Sequence, residues 1–255
     1  MQKENENKKA QALARFLKRI NRGEDPKLLC REAGRLITDL GPRDIATAEE
    51  NLIHDGFSAQ LAQQLSVAFM LMGVLEEHGG NIRAQLPANH VLQKVMVEHD
   101  MMRCFLADLQ DVTEAIANME NLTDTKTEFR KLCHIVEHLD AMQEHIDREE
   151  DVIFPYLTRN GWSNLCQAAK SDHVYIKVAI SDLTGLIGAF NNVKFRQFKV
   201  RLMSTVKYLC PIMYDHLSQE DNVMYPIALE VINRSDVWEK MKSICDEIGY
   251  CGIHL

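Results

Sequence analysis

Residues 145–155 and 216–226 are two copies of one eleven-residue pattern. The first reads His-Ile-Asp-Arg-Glu-Glu-Asp-Val-Ile-Phe-Pro and the second His-Leu-Ser-Gln-Glu-Asp-Asn-Val-Met-Tyr-Pro. On a helix, residues four apart lie about one turn apart on the same face. His145 and Glu149 therefore point the same way, as do His216 and Glu220. A chain that places two such pairs on the inner faces of helices must fold as a helical bundle, because the imidazoles and carboxylates need partners that only neighbouring helices supply.

The rest of the chain agrees with this. Among 255 residues there are only 6 Pro and 12 Gly, which leaves long uninterrupted stretches, and the 46% apolar content is enough for a sizeable core. The net charge of −8 argues against a nucleic-acid partner. No run approaches the ~18 apolar residues of a membrane span, and the first nine residues lack the apolar core of a signal peptide. Seven scattered cysteines, with no C-x-x-C, read as buried free thiols in a reducing cytoplasm.

The expected fold is all-α: an antiparallel up-down four-helix bundle over residues 88–232, preceded by a small helical domain at 1–84 and followed by a helix and tail at 233–255. In the first region the pattern predicts Lys9–Ile20, Lys27–Leu40 opened by Asp25-Pro26, Asp44–His54 ended by Gly56, and Ala59–Glu77 capped by Ser58. His54 and His78 read as helix-end residues facing terminal carbonyls. Met70 and Met72 read as packing. The bundle helices are expected at about 89–119, 125–158, 163–190 and 194–230, with Pro211 kinking or locally breaking the last. A final helix is expected over Asp236–Ile248.

Of ten histidines, seven fall between residues 90 and 216. Four of these, His99, His145, His173 and His216, sit on apolar helix faces. Leu92, Val95, Met102 and Leu106 share the face of His99, and Cys166, Ala169, Ile180, Thr184 and Ile187 that of His173. Leu202, Leu209, Ile212 and Val223 share the face of His216. Intervals of 46, 28 and 43 residues carry an antiparallel chain back to one level each time. With Glu149 and Glu220 this makes six ligands, a set that suits iron, and manganese or zinc less specifically. Two carboxylates bridging two metals about 3.5–4 Å apart is the expected geometry. Burying four imidazoles and two carboxylates without a metal would cost several kcal/mol per uncompensated carboxylate. The order is His then Glu at spacing four, which excludes the Glu-x-x-His of ferritin-like sites and the H-E-x-x-H of zinc proteases.

The segments Glu98-His99, His145–Pro155, Asp172-His173 and His216–Pro226 resemble the hemerythrin-like H-H-E domain. The resemblance implies a non-haem di-iron centre with an oxo or hydroxo bridge, held by His99, His145, Glu149, His173, His216 and Glu220. It also implies a small diatomic ligand or oxidant (oxygen, nitric oxide or peroxide) as the partner. Residues 1–82 and the tail Asp246–Tyr250 resemble a small helical domain of unknown function that accompanies such bundles in bacteria and archaea. Oxygen carriers of the family have a fifth histidine one turn from that of the third helix. Here those positions are Ala169 and Lys177, which weakens the carrier reading in favour of nitrosative or oxidative stress response or iron-centre repair. The alternative is an oxygen- or redox-sensing module that signals to a protein partner through its N-terminal domain. Whether the chain is an enzyme stays open at this point, and a purely structural metal site is the third reading.

His134 and His138 lie eleven and seven residues before His145, each within about 20° of its direction on an uninterrupted helix. They are expected on the core face, either as hydrogen-bonded buried histidines or as a polar channel or outer support to the metals. His90, at a helix start and facing away, and His254, in the tail, carry no expected role. Glu150 and Asp221, about 100° round from the ligand glutamates, are expected to tolerate truncation.

Overall fold

A computed structural model describes residues 2–24, 28–29, 32–33, 36, 40–73, 82–123 and 126–250. Apart from a single turn at Ile82–Gln85, the helices are α1 (Gln2–Asn21), α2 (Pro42–His54), α3 (Ala59–Gly73), α4 (Val91–Ala117), α5 (Thr127–Asp140) and α6 (Gln143–Arg148). They continue with α7 (Phe154–Arg159), α8 (Ser163–Gly188), α9 (Phe195–Gln219), α10 (Tyr225–Val231) and α11 (Ser235–Ile248). Two five-residue π turns, Glu149–Ile153 and Glu220–Met224, join α6 to α7 and α9 to α10. Among the described residues there is no strand. The fold is all-α, a helical bundle preceded by a helical region.

Local chemistry sets the ends of these helices. Ser58 Oγ accepts from Leu61 N at 3.2 Å and opens α3, as its sequence predicts. Gly56, at φ +96°, follows α2 where a side chain would be strained. His90 caps α4, its Nδ1 accepting from Leu92 N at 3.2 Å, and its ring lies 4.7 Å from that of Trp238. Lys199 Nζ donates to the carbonyls of Ala117 and Met119 and so closes the other end of α4. Thr184 donates back to Ile180 O at 3.2 Å, as expected, although its side chain faces solvent. The expected start at Asp25-Pro26, most of Lys27–Leu40, His78, the side chain of Met72 and His254 lie outside the described residues.

Two expectations for the helices change. The segment expected as one helix over 125–158 is interrupted at Ala141–Met142 and again by a π turn. α9 runs through Pro211 without a break. Pro211 is exposed, so the carbonyl it leaves without a donor is one that water can reach.

The chain forms two compact units. The first comprises Met1–Leu86, Phe154–Ser171 and Asp215–Arg234, and the second Pro87–Ile153, Asp172–Tyr214 and Ser235–Leu255. In the first, α1, α2 and α3 pack on one another around Leu13, Leu17, Leu52 and Phe69. There α2 also lies against the π turn Glu220–Met224 and α10. In the second, α4 packs on α5, and α11 packs on α4, α6 and the π turn Glu149–Ile153.

Both π turns precede an aromatic-proline pair, Phe154-Pro155 and Tyr225-Pro226. A proline in a helix cannot donate to the carbonyl four residues back, and its ring crowds that carbonyl. For Pro155 and Pro226 these carbonyls belong to Asp151 and Asn222, inside the π turns. Widening the helix by one residue relieves the clash.

Candidate metal centre

All six expected ligands are buried, His216 being the most exposed of them at 2%. In the second unit, His99 lies on α4, His145 on α6, Glu149 at the first position of the π turn and His173 on α8. The Nε2 atoms of His99 and His145 are 3.2 Å apart. His145 Nε2 is 3.7 Å from Glu149 Oε2, and His173 Nε2 is 3.2 Å from the same oxygen. One donor atom from each of His99, His145 and Glu149 falls within a 4.8 Å sphere of separations. In the first unit, His216 Nε2 is 3.0 Å from Glu220 Oε1, again across one turn with the glutamate opening a π turn.

The outer hydrogen bonds fix which nitrogen faces inward. His145 Nδ1 is 3.0 Å from Glu98 Oε2. Burial pushes the Glu98 carboxyl up, but the hydrogen bond and charge of His145, with those of Arg148, outweigh it and leave Glu98 below its ordinary value. An ionised Glu98 accepts, so Nδ1 of His145 carries a proton; in the neutral imidazole that a metal requires, the lone pair is then on Nε2, the nitrogen that faces His99. His173 Nδ1 donates in the same way to Glu150 Oε1 at 2.8 Å. A carboxylate behind the imidazole, as at His145 and His173, is the support that metal-bound histidines use. The donor set, with carboxylate-backed imidazoles turning Nε2 toward each other and toward a buried glutamate, fits a cation of the first transition row.

Three supporting residues escape the sequence pattern. Glu98 is separated from its partner His145 by 47 residues, and no periodicity links them. Arg148 is fully buried and donates to both Glu98 and the Gly249 carbonyl. Glu150, expected to tolerate truncation, holds His173 instead. Its Cβ direction is indeed about 100° from that of Glu149, but that direction leads toward α8. The one signal in the sequence was that Glu98 and Arg148 each adjoin a candidate ligand, His99 and Glu149.

His134 and His138 do not sit on the core face. His134 is exposed and His138 half-buried. His138 stacks on Phe105 at 4.6 Å, and His134 meets His138 edge-on at 4.4 Å. The interruption at Ala141–Met142 resets the helical phase, so the 100° count back from His145 fails there. His138 lines a small recess with Glu98, Met101, Met102, Phe105 and Met142.

In the first unit, the residue before Glu220 is also tied to a distant carboxyl. Gln219 Nε2 donates to Glu49 Oε1 at 2.7 Å, and Ser66 Oγ donates to the same oxygen. Burial, resisted by these bonds, pushes the Glu49 carboxyl up to about 7.

No helix among the described residues is long and apolar enough to cross a membrane. No curated protein matches the chain. The family described as the Hemerythrin HHE cation binding domain matches residues 90–228, more than half of the sequence and the whole of the span that carries the six histidine and glutamate ligands. Two buried His-x-x-x-Glu pairs, each with its glutamate at the mouth of a π turn, thus sit inside a recognised cation-binding domain, and the chain belongs to the hemerythrin HHE family.

Proposed function

We propose that His99, His145, Glu149, His173, His216 and Glu220 would together hold two non-haem irons, with Glu149 and Glu220 as the carboxylate ligands, and that the protein binds or reacts with a small diatomic or oxidant in the cytoplasm. The observation that carries this reading is the set of buried histidines and glutamates with donor atoms close together, His145 and His173 backed by carboxylates, inside a cation-binding domain. Such a pair supplies open coordination positions and one-electron redox chemistry. The residues do the rest: Glu98 and Glu150 fix the proton on Nδ1 of His145 and His173, and the apolar face of α4 keeps bulk water away. Ala169, buried one turn before His173, and Lys177, one turn after it, offer no fifth imidazole. That favours reaction with nitric oxide, peroxide or oxygen, in stress response or iron-centre repair, over reversible oxygen carriage.

Metal analysis after anaerobic reconstitution with ferrous iron tests the ligand set. Two irons per chain are expected, falling to one or fewer in Glu149→Ala and in Glu220→Ala. One iron or fewer in the unaltered chain overturns the reading. Multiple turnovers of nitric oxide or peroxide by the loaded protein would make it an enzyme.

A second reading is favoured by Glu49. This residue of the N-terminal helical region is hydrogen-bonded to Gln219, which adjoins Glu220. A change at Glu220 would reach α2 directly, as an oxygen or redox sensor that signals through residues 1–84 requires. Metal-dependent hydrogen-exchange protection of α2, without turnover, would select this reading.

A further inference from the structure

The C-terminal end of the described chain closes on the site from behind. α11 ends at Ile248, and Gly249 turns the backbone at φ +105°, a conformation open to glycine. That turn aims the Gly249 carbonyl at Arg148, which donates to it. It also brings the Tyr250 ring under two cations, Arg148 at 4.6 Å and Lys94 at 4.4 Å. The Tyr250 hydroxyl donates to Asp246 Oδ1 at 2.8 Å, and Lys94 Nζ reaches the same oxygen at 3.2 Å. The turn is thus anchored to α11 and α4 before it meets Arg148.

Arg148 is a poor residue to bury for stability alone. A buried guanidinium repays its desolvation only when its donors are met by fixed acceptors. Here the acceptors lie far apart in the sequence, Glu98 on α4 and Gly249 beyond α11. Glu98 in turn accepts from Nδ1 of His145.

We propose that the Gly249-Tyr250 turn is a positioning element for the metal centre: it fixes Arg148, Arg148 fixes Glu98, and Glu98 fixes the orientation and Nδ1–H tautomer of His145. The inference rests on His145 being a ligand. Arg148 has a second effect through the same chain. By sharing the Glu98 charge it limits how far Glu98 draws the His145 proton, and hence how electron-rich the Nε2 lone pair becomes. A tail that shifts Arg148 retunes His145 without touching the metal.

The test uses the full chain with Gly249→Ala, Tyr250→Leu and Tyr250→Phe. An alanine at 249 is strained at this φ, with its Cβ 3.2 Å from Glu144 Oε2, and relief of that strain is expected to loosen the carbonyl's contact with Arg148. Leucine at 250 removes the ring, whereas phenylalanine keeps it. The readout is the His145 Nδ1–H by nitrogen-15 NMR, in the metal-free protein and again after loading with ferrous iron. In Gly249→Ala and Tyr250→Leu its solvent exchange is expected to speed up about tenfold or more and ferrous affinity to fall about tenfold, at the low end of what losing an outer partner costs. Tyr250→Phe should restore both to within about twofold, the low end of the context dependence of a single contact. Tyr250→Leu with an unchanged Nδ1–H signal and a lowered melting temperature would make the turn purely structural and overturn the proposal. Separately, His145→Ala with undiminished metal content would remove the ligand reading, while the metal-free measurement would still judge the link from tail to His145.

Discussion

The two copies of the repeat differ most at the position just before the ligand glutamate, where Arg148 in one corresponds to Gln219 in the other. Both side chains are buried, and both donate to a buried carboxyl on a distant helix. Arg148 reaches Glu98, and the guanidinium helps to hold that carboxyl ionised. Gln219 reaches Glu49, and without a cation burial pushes that carboxyl up to about 7. The surroundings differ in the same sense. The π turn Glu149–Ile153 is packed by the C-terminal helix α11, and Glu220–Met224 by the N-terminal helix α2. A position that looks like spacer in an H-x-x-x-E pattern is where each copy is fastened to a different end of the chain, one by charge and one by neutral hydrogen bonds.

Exchanging the fasteners should break this contrast most severely. Arg148→Gln takes the guanidinium away from the buried Glu98 carboxyl, and should cost ~3–5 kcal/mol, the usual result of removing one partner of a buried pair. Urea unfolding of the metal-free protein measures it, and a loss under ~1 kcal/mol would mean that water takes over the role of Arg148.

A smaller, pH-dependent difference belongs to Glu49. Its carboxyl titrates near 7 when folded against a model value of 4.5, so the folded state holds a proton that the unfolded chain has released. The associated stability is fully present below about pH 4.5 and is lost as pH rises through about 7, amounting to at most ~3 kcal/mol. Glu50, itself raised by burial, is the neighbouring acid that opposes ionisation. Glu49→Gln keeps an oxygen for Ser66 and Gln219 and should flatten the stability profile between pH 5 and 8, so that the variant is the more stable protein at pH 8. A profile as steep as that of the unaltered chain would place the titration elsewhere.

Glu150→Ala tests the backing of His173. Loss of the 2.8 Å bond to Nδ1 should lower ferrous affinity about tenfold, since Glu150 is 26% exposed and water can replace part of it. The smallest effect is expected from His134→Gln, whose side chain lies exposed on Phe105 and His138: metal content should be unchanged and stability within ~0.5 kcal/mol. A fall in metal content would return His134 to the site.

The helical bundle and the burial of the six candidate ligands were legible because apolar spacing and the repeated His-x-x-x-Glu carry them locally. The Ser58 cap, the back-bond of Thr184 and the helix at Ser235–Ile248 were legible from local sequence as well, but Thr184, expected on the face of His173, is exposed. The interruption at Ala141–Met142 was not. Asp140-Ala141-Met142-Gln143 contains no glycine or proline, and packing rather than propensity decides it, so the phase of His134 and His138 was lost. Glu98, Glu49 and Gly249 were illegible in their roles because each pairs across 47 or more residues, and no local pattern encodes such a partner.

Each π turn amounts to a one-residue insertion kept in both halves of an internal duplication. An α-helix advances about 100° per residue, so everything beyond an insertion faces where its predecessor would otherwise have faced. The two turns therefore act like a gear offset between the stretch that carries a ligand and the apolar stretch after it. Side chains at solvent-facing positions such as Asp151 and Asn222 should be freely exchangeable, but the length of the turns should not. Inserting one further residue between 150 and 153 would leave His145 and Glu149 in place and swing Phe154 and Leu157, both buried, out of the core by about 100°. Length polymorphism in these two five-residue segments would be far more damaging than any single exchange at their exposed positions.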